Sequence, residues 1–172
     1  MGEIKSTLDL VLEKTRNLTL SEEEKRDLAR EELDKKIRGI IGKYLDNLLP
    51  LNRTRDELES IESNQPDLPY KLFTKYLLVH ADLDVDIRPI LSALKEVAGF
   101  DTEALEALQQ EYKSEKETAR SSFAEDTLSE LDKRGISGSA VVSNLDGIPE
   151  WEQFQRELSQ GYREKIRGLG EA

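Results

Sequence analysis

The sequence predicts an all-α protein, an elongated helical bundle forming one domain over residues 1–172. Three observations carry that prediction. Charged residues make up 35% of the chain and apolar ones only 37%, with ten aromatic side chains, which suits long solvated helices better than a thick sheet core. Apolar residues recur at three- and four-residue spacing, the period of one helix face. The breaks between those stripes carry the residues that start and stop helices.

Taken in order, Ile4, Leu8, Val11 and Leu12 predict a short amphipathic helix over 3–16. Ser21-Glu22-Glu23-Glu24 is a capping box, with three acids suited to the positive end of a helix dipole. It opens a long helix over about 22–49, with a stripe of Leu28, Leu33, Ile37, Ile40, Ile41, Tyr44, Leu45 and Leu48 ending at Pro50. Gly39 and Gly42 weaken it by roughly 1 kcal/mol each against Ala, and fit either a close helix crossing or a bend. Thr54 to Glu57 form a second capping box, and shorter helices follow over 55–98. Pro69 is placed as an early residue of one, and Asp86 as the cap of another that stops at Gly99. Asp101 caps a second long helix over about 102–134, whose stripe thins to a polar stretch from Lys113 to Thr118. Lys133-Arg134-Gly135 is its expected stop. Residues 136–145 are small, apolar and uncharged, and read as an extended segment or short strand. A final helix over 150–167 carries Trp151, Phe154, Leu158, Tyr162 and Ile166.

Composition excludes several functions. The 172 residues suffice for a core without staples, and the absence of cysteine excludes disulfides, thiolate metal sites and a thiol nucleophile. No apolar run reaches the ~18 residues of a membrane span, and the start lacks a secretory signal, so no membrane association is expected. The net charge of −11 argues against nucleic acid, whose phosphates need a cationic face. The acidity is concentrated in residues 50–134, with 19 acidic against 11 basic side chains. Such an excess serves solubility, or provides an acidic decoy for a basic partner.

The motifs are sparse. Gly2 with Ser6 fits the acylation pattern, but Glu3 is unfavourable there and no basic patch follows to hold a membrane. Asn17 and Asn52 begin glycosylation triplets that read more simply as a loop and a helix cap. His80-Ala81-Asp82-Leu83-Asp84-Val85-Asp86 is the most chemically suggestive run. Its alternating carboxylates resemble half of a calcium loop, but the sharp-turn glycine is Ile87 and the bidentate Glu is Ala93. In an extended turn, Asp82, Asp84 and Asp86 share one side while Leu83, Val85 and Ile87 face the core. His80, the only histidine, is expected half-buried on a helix face. The amides around Gly135 to Asn144 lack the flanks of a phosphate loop, and the segment reads as a close-packed connector lying across helices, with a partner-pairing strand or a ligand loop as the alternatives; no cofactor is expected.

Met1 to Ser6, Leu8 to Thr15, and Gly135 to Val142 followed by Asn144-Leu145 resemble uncharacterised bacterial proteins of similar size, grouped as a domain of unknown function. The resemblance covers the two ends of the chain. It implies a bacterial cytoplasmic setting and no activity, substrate or site.

The functional expectation is a non-enzymatic interaction or scaffold protein, with Val141, Val142, Trp151 and Phe154 offering an exposed apolar patch to a protein partner. The partly apolar stripes point to a homodimer that completes its core between copies. The alternative is a weak divalent-metal site or enzyme centred on His80, Asp82 and Asp84, with Asp86 beside them.

Overall fold

The computed structural model describes residues 21–62 and 65–170, which form six helices and no strand. These are α1 (Glu22–Leu45), α2 (Leu51–Glu59), α3 (Leu68–Val79), α4 (Arg88–Glu96), α5 (Glu103–Lys133) and α6 (Pro149–Leu169). The all-α architecture and the two long helices are as the sequence predicts. The expected 3–16 helix and the motifs at Gly2 and Asn17 lie outside the described residues.

α1 starts where expected. The Ser21 hydroxyl accepts the Glu24 N–H at 3.1 Å, and the Glu24 carboxylate accepts the Ser21 N–H at 2.7 Å. It ends at Leu45, short of residue 49, because Asn47 adopts a left-handed conformation with φ 58°. That turn lets the Asn47 and Leu48 N–H groups close onto the Tyr44 and Lys43 carbonyls at 3.0 and 2.8 Å, satisfying acceptors that a helix end leaves free. Gly39 and Gly42 sit on the exposed side, with no described atom within 4 Å of where a Cβ would be. The close crossing at these glycines is therefore not formed among the described residues.

α2 begins three residues before the expected capping box, at Leu51 behind Pro50. Thr54 is consequently an internal, buried residue, and its hydroxyl donates back to the Pro50 carbonyl at 3.2 Å. α3 carries buried Leu72, Phe73, Leu77 and Leu78 and is the centre of the molecule, packing against α1, α4 and α6. Arg38 of α1 lies 4.3 Å from the Tyr76 ring of α3, and the Tyr44 hydroxyl donates to the Pro89 carbonyl at 2.7 Å. Arg55 donates to the Glu96 carbonyl, joining α2 to the end of α4. The core formed here contains Ile37, Ile41, Leu58, Phe73, Leu94 and Leu105, among others. Each such side chain contributes roughly 1.5–3 kcal/mol through burial.

α5 is 31 residues long, about 46 Å at 1.5 Å per residue. Asp101 accepts the Glu103 N–H at 3.0 Å, so it satisfies a first-turn donor as expected. At the other end Gly135 takes φ 78°, which a Cβ would strain. The Gly135 and Ile136 N–H groups then bond the Asp132 and Leu131 carbonyls at 2.8 and 3.0 Å. α6 returns along α5 and reaches the core with Leu158, Tyr162 and Ile166. Its end passes tightly over α3, where a Cβ on Gly170 would lie 3.2 Å from Leu78 Cδ1. Only Leu105 and Tyr112 of α5 are buried. Beyond Tyr112, α5 and α6 thus form a two-helix arm leaving the main core.

Candidate functional site

The run from Asp82 to Asp86 is a tight turn and not an extended strand. The Asp82 carboxylate accepts the Asp84 N–H at 3.0 Å, and the Asp82 carbonyl accepts the Val85 N–H at 3.2 Å. This local bonding breaks the two-residue alternation. Leu83 and Ile87 are buried as expected, but Val85 is 59% exposed because the turn rotates it outward.

The same turn separates the three carboxylates. Asp82 faces Arg163 of α6 at 3.8 Å, and Asp84 accepts from Lys116 of α5 at 2.5 Å. Asp86 takes a two-pronged contact from Arg88 at 2.7–2.9 Å and also accepts the Arg88 N–H at 3.0 Å. The Arg88 contact holds the Asp86 carboxyl down at about 2. Burial alone would push the Asp84 carboxyl up, but Lys116 and the Tyr112 hydroxyl hold it below the usual carboxylate range. Among the described residues, no group of three or more His, Asp or Glu side chains is placed to hold a metal ion. Three oxygens from this turn do not converge, and each already has a cation.

His80 is exposed, where a half-buried position is expected from the sequence. α3 stops at Val79, so His80 is the cap residue, its N–H bonded to the Leu77 carbonyl at 3.0 Å. Its side chain lines a groove of about 500 Å³ with Tyr44, Leu49, Val85, Asp86 and Pro89, on the α1–α4 side. Asp82 and Asp84 point instead to α6 and α5. The structure therefore does not gather His80, Asp82 and Asp84 into one centre.

The polar stretch of α5 accepts a hydrogen bond from α6, with an ion pair beside it. The Tyr162 hydroxyl donates to Glu115 at 3.0 Å, and Lys165 lies 4.0 Å from Glu111 and 4.1 Å from the Tyr162 ring. Burial, with Glu115 adding to it, pushes the Tyr162 hydroxyl up to about 12. Tyr112 is raised further by burial and by Asp84. Edge-to-face contact between the Tyr112 and Tyr162 rings, centroids 5.3 Å apart, fills the seam. The polarity of Lys113 to Thr118 is visible in the sequence, but its pairing with α6 needs the antiparallel return of that helix. Beside this seam a cleft of about 720 Å³ opens on the outer face of α6. Its arginines, Arg156, Arg163 and Arg167, are countered by Asp84, Glu152 and Glu164, so the cleft presents no single charge.

Further along the arm, Phe123 meets Trp151 edge-on at 5.4 Å, and Trp151 stacks on Phe154 at 5.8 Å. Trp151 is only 5% exposed and Phe154 half-buried, so both hold the arm together from within. Surface exposure lies instead on the connector beyond them. Val142 is 80% exposed and Ile136 51%, with Leu128 of α5 at 37%. Val141 and Ser143 are half-buried and Leu145 buried, while Val142 and Asn144 are exposed, a strand-like alternation in the absence of a sheet. The N–H groups of Val142, Ser143, Asn144 and Leu145 have no hydrogen-bond acceptor among the described residues. The exposure of Ile136 and Leu128 has no signal in the sequence, because helical spacing does not show which apolar positions lie past the end of a packed face.

No family model, curated protein or solved structure matches the chain. Among the described residues, no helix is long and apolar enough to cross a membrane.

Proposed function

We propose that this protein is a non-enzymatic interaction protein that engages another protein through the tip of the α5–α6 arm. One observation carries the reading. Val142 and Ile136 are exposed within a stretch that holds no charge from Gly135 to Leu145, in a chain that is 35% charged. Exposed apolar side chains without charge among them favour burial against a partner. Directly behind them the arm is closed by Phe123, Trp151 and Phe154, so the tip is held by an ordered base. The bacterial cytoplasmic setting we assign rests on the resemblance of the two chain ends alone.

Affinity capture of the tagged chain, compared with the Ile136→Lys/Val142→Lys double variant, tests the reading. A protein retained by the parent and lost by the equally helical variant is the expected result. Equal retention by both, or no specific retention by the parent, overturns it.

A further inference from the structure

We propose that Asp146 is a site of spontaneous covalent modification, closing a cyclic imide with Gly147 that reopens to a β-linked aspartate between the connector and α6. The inference is independent of what the arm tip binds. Ring closure needs an aspartyl carboxyl, an uncommitted N–H on the next residue, and a main chain able to turn that nitrogen toward the side chain. Asp146-Gly147 is the one place in the chain where Asp or Asn precedes Gly. At Asp82, Asp84 and Asp86 the following residues are Leu83, Val85 and Ile87, whose β-carbons crowd the attacking nitrogen. Those three carboxylates are also held by Arg163, Lys116 and Arg88. Aspartates inside the described helices are followed by N–H groups that the helix ladder already uses.

The structure leaves the pair free to react. The Leu145 carbonyl accepts the Ile148 N–H at 3.1 Å, which closes a turn with Asp146 and Gly147 at its corners. Both corner residues are exposed. The Asp146 N–H is held by Asn144 Oδ1 at 3.0 Å, but its carboxylate has no hydrogen-bond or ion-pair partner among the described residues. The Gly147 N–H likewise has no acceptor among them. Gly147 takes φ 84°, and no described atom lies within 4 Å of where its Cβ would be. Rotation of the Asp146–Gly147 peptide toward the side chain therefore meets no side chain at 147, and only the single bond across the turn opposes it.

The chemistry needs only water. The Gly147 nitrogen bonds to Asp146 Cγ, and the nitrogen's proton leaves with a side-chain hydroxyl as one water, giving a five-membered imide. Water then adds to one of the two imide carbonyls. Addition at Cγ breaks the new N–C bond and returns the original aspartate. Addition at the main-chain carbonyl breaks the original peptide bond, leaving Gly147 joined through Cγ and the former main-chain carbonyl as a free carboxylate. Mass and charge are unchanged overall, but the main chain is longer by one methylene. That extra length enters the turn just ahead of Pro149, the first residue of α6, and two residues farther on is Trp151.

The folded full-length chain is aged in mildly acidic buffer, where an uncharged carboxyl gives up water more readily than a carboxylate, beside the Asp146→Glu and Asp146→Asn variants. Digestion with a protease that cuts before α-linked aspartate is expected to find the Leu145–Asp146 bond increasingly resistant. Hydroxylamine, which opens the imide, is expected to cut the parent into residues 1–146 and 147–172. Accumulation at 146 should exceed that at any other aspartate about tenfold. Asp146→Glu would need a six-membered ring and is expected to give neither signal. Asp146→Asn is expected to react faster, losing ammonia in place of water and ending one mass unit heavier. An aged parent whose Leu145–Asp146 bond stays fully cleavable, or β-linkage spread equally over other aspartates, overturns the proposal. Reaction of the Asp146→Asn variant alone also overturns it, because the turn would then permit closure that the carboxyl does not undergo.

Discussion

Lys116, midway along α5, holds Asp84 at 2.5 Å and so pins the turn before α4 to the base of the arm. Asp84 is held by this ammonium and by the Tyr112 hydroxyl. The pair lies between sequence positions 32 residues apart, and it links the core helices to the arm.

Breaking this link should loosen both. The two side chains are 30% and 44% exposed, so solvent screening reduces the worth of the pair. Lys116→Ala is expected to cost about 1 kcal/mol in urea denaturation, and a double-mutant cycle with Asp84→Asn should return a coupling of about 0.5 kcal/mol. Because the Asp84 carboxyl is lowered in the folded state, its contribution is fully present above the unfolded value near 3.8. It is lost as pH falls through the lowered folded value. The parent should therefore lose more stability than Asp84→Asn between about pH 5 and pH 2, measured as the difference in urea midpoints.

The opposite sign applies to Tyr162. Its hydroxyl is raised to about 12, so the folded state favours the protonated phenol. This contribution is complete below the unfolded value near 10 and disappears as pH rises from there toward 12. Titration of tyrosinate absorbance should show a late phase above pH 10, and Tyr162→Phe should reduce its amplitude. The same variant leaves Glu115 without the phenol, at a cost of about 0.5–1 kcal/mol.

Trp151 is the only tryptophan, and it lies outside the main core cluster. Its emission therefore reports on the arm. Phe123→Ala removes the ring that meets Trp151 edge-on and should red-shift that emission while costing about 2–3 kcal/mol, since Phe123 is only half-buried. Far-UV circular dichroism should retain most of its helical signal, because the core helices do not depend on this contact.

Gly42 in α1 and Gly161 in α6 are exposed helix-interior glycines, and a Cβ at either would meet no described atom within 4 Å. Alanine at either position should raise stability by about 0.5–1 kcal/mol, read as an increase in the thermal midpoint. A loss of stability would show that the position serves a contact beyond the described residues.

Local chemistry is the legible part of this fold. Ser21 with Glu24, Asp101 before α5, and Gly135 after it act at the ends the sequence assigns them, because caps involve residues three or four apart. The end of α1 before Asn47 and the start of α2 ahead of Thr54 depart from the sequence reading for a related reason. Both residues can end or start a helix in several ways, and the choice depends on how Leu51 and Leu58 pack against the core. Of the candidate site residues, Asp86 is readable through its neighbour Arg88. Asp82 and Asp84 are not, since Arg163 and Lys116 are distant in sequence. Trp151 shows the limit of composition, because a large apolar residue near a loop is equally consistent with a surface anchor and a buried brace. Only the return of α6 beside Phe123 decides between them.

The central place of α3 also bears on synthesis. The core around it takes Ile37 and Ile41 from one end of the sequence and Leu158, Tyr162 and Ile166 from the other. A nascent chain halted before residue 158 would leave the apolar side of α3 open to whatever else the cell offers. Completion of the native state therefore follows emergence of α6 from the ribosome, and chaperone dependence should track how long that helix is withheld.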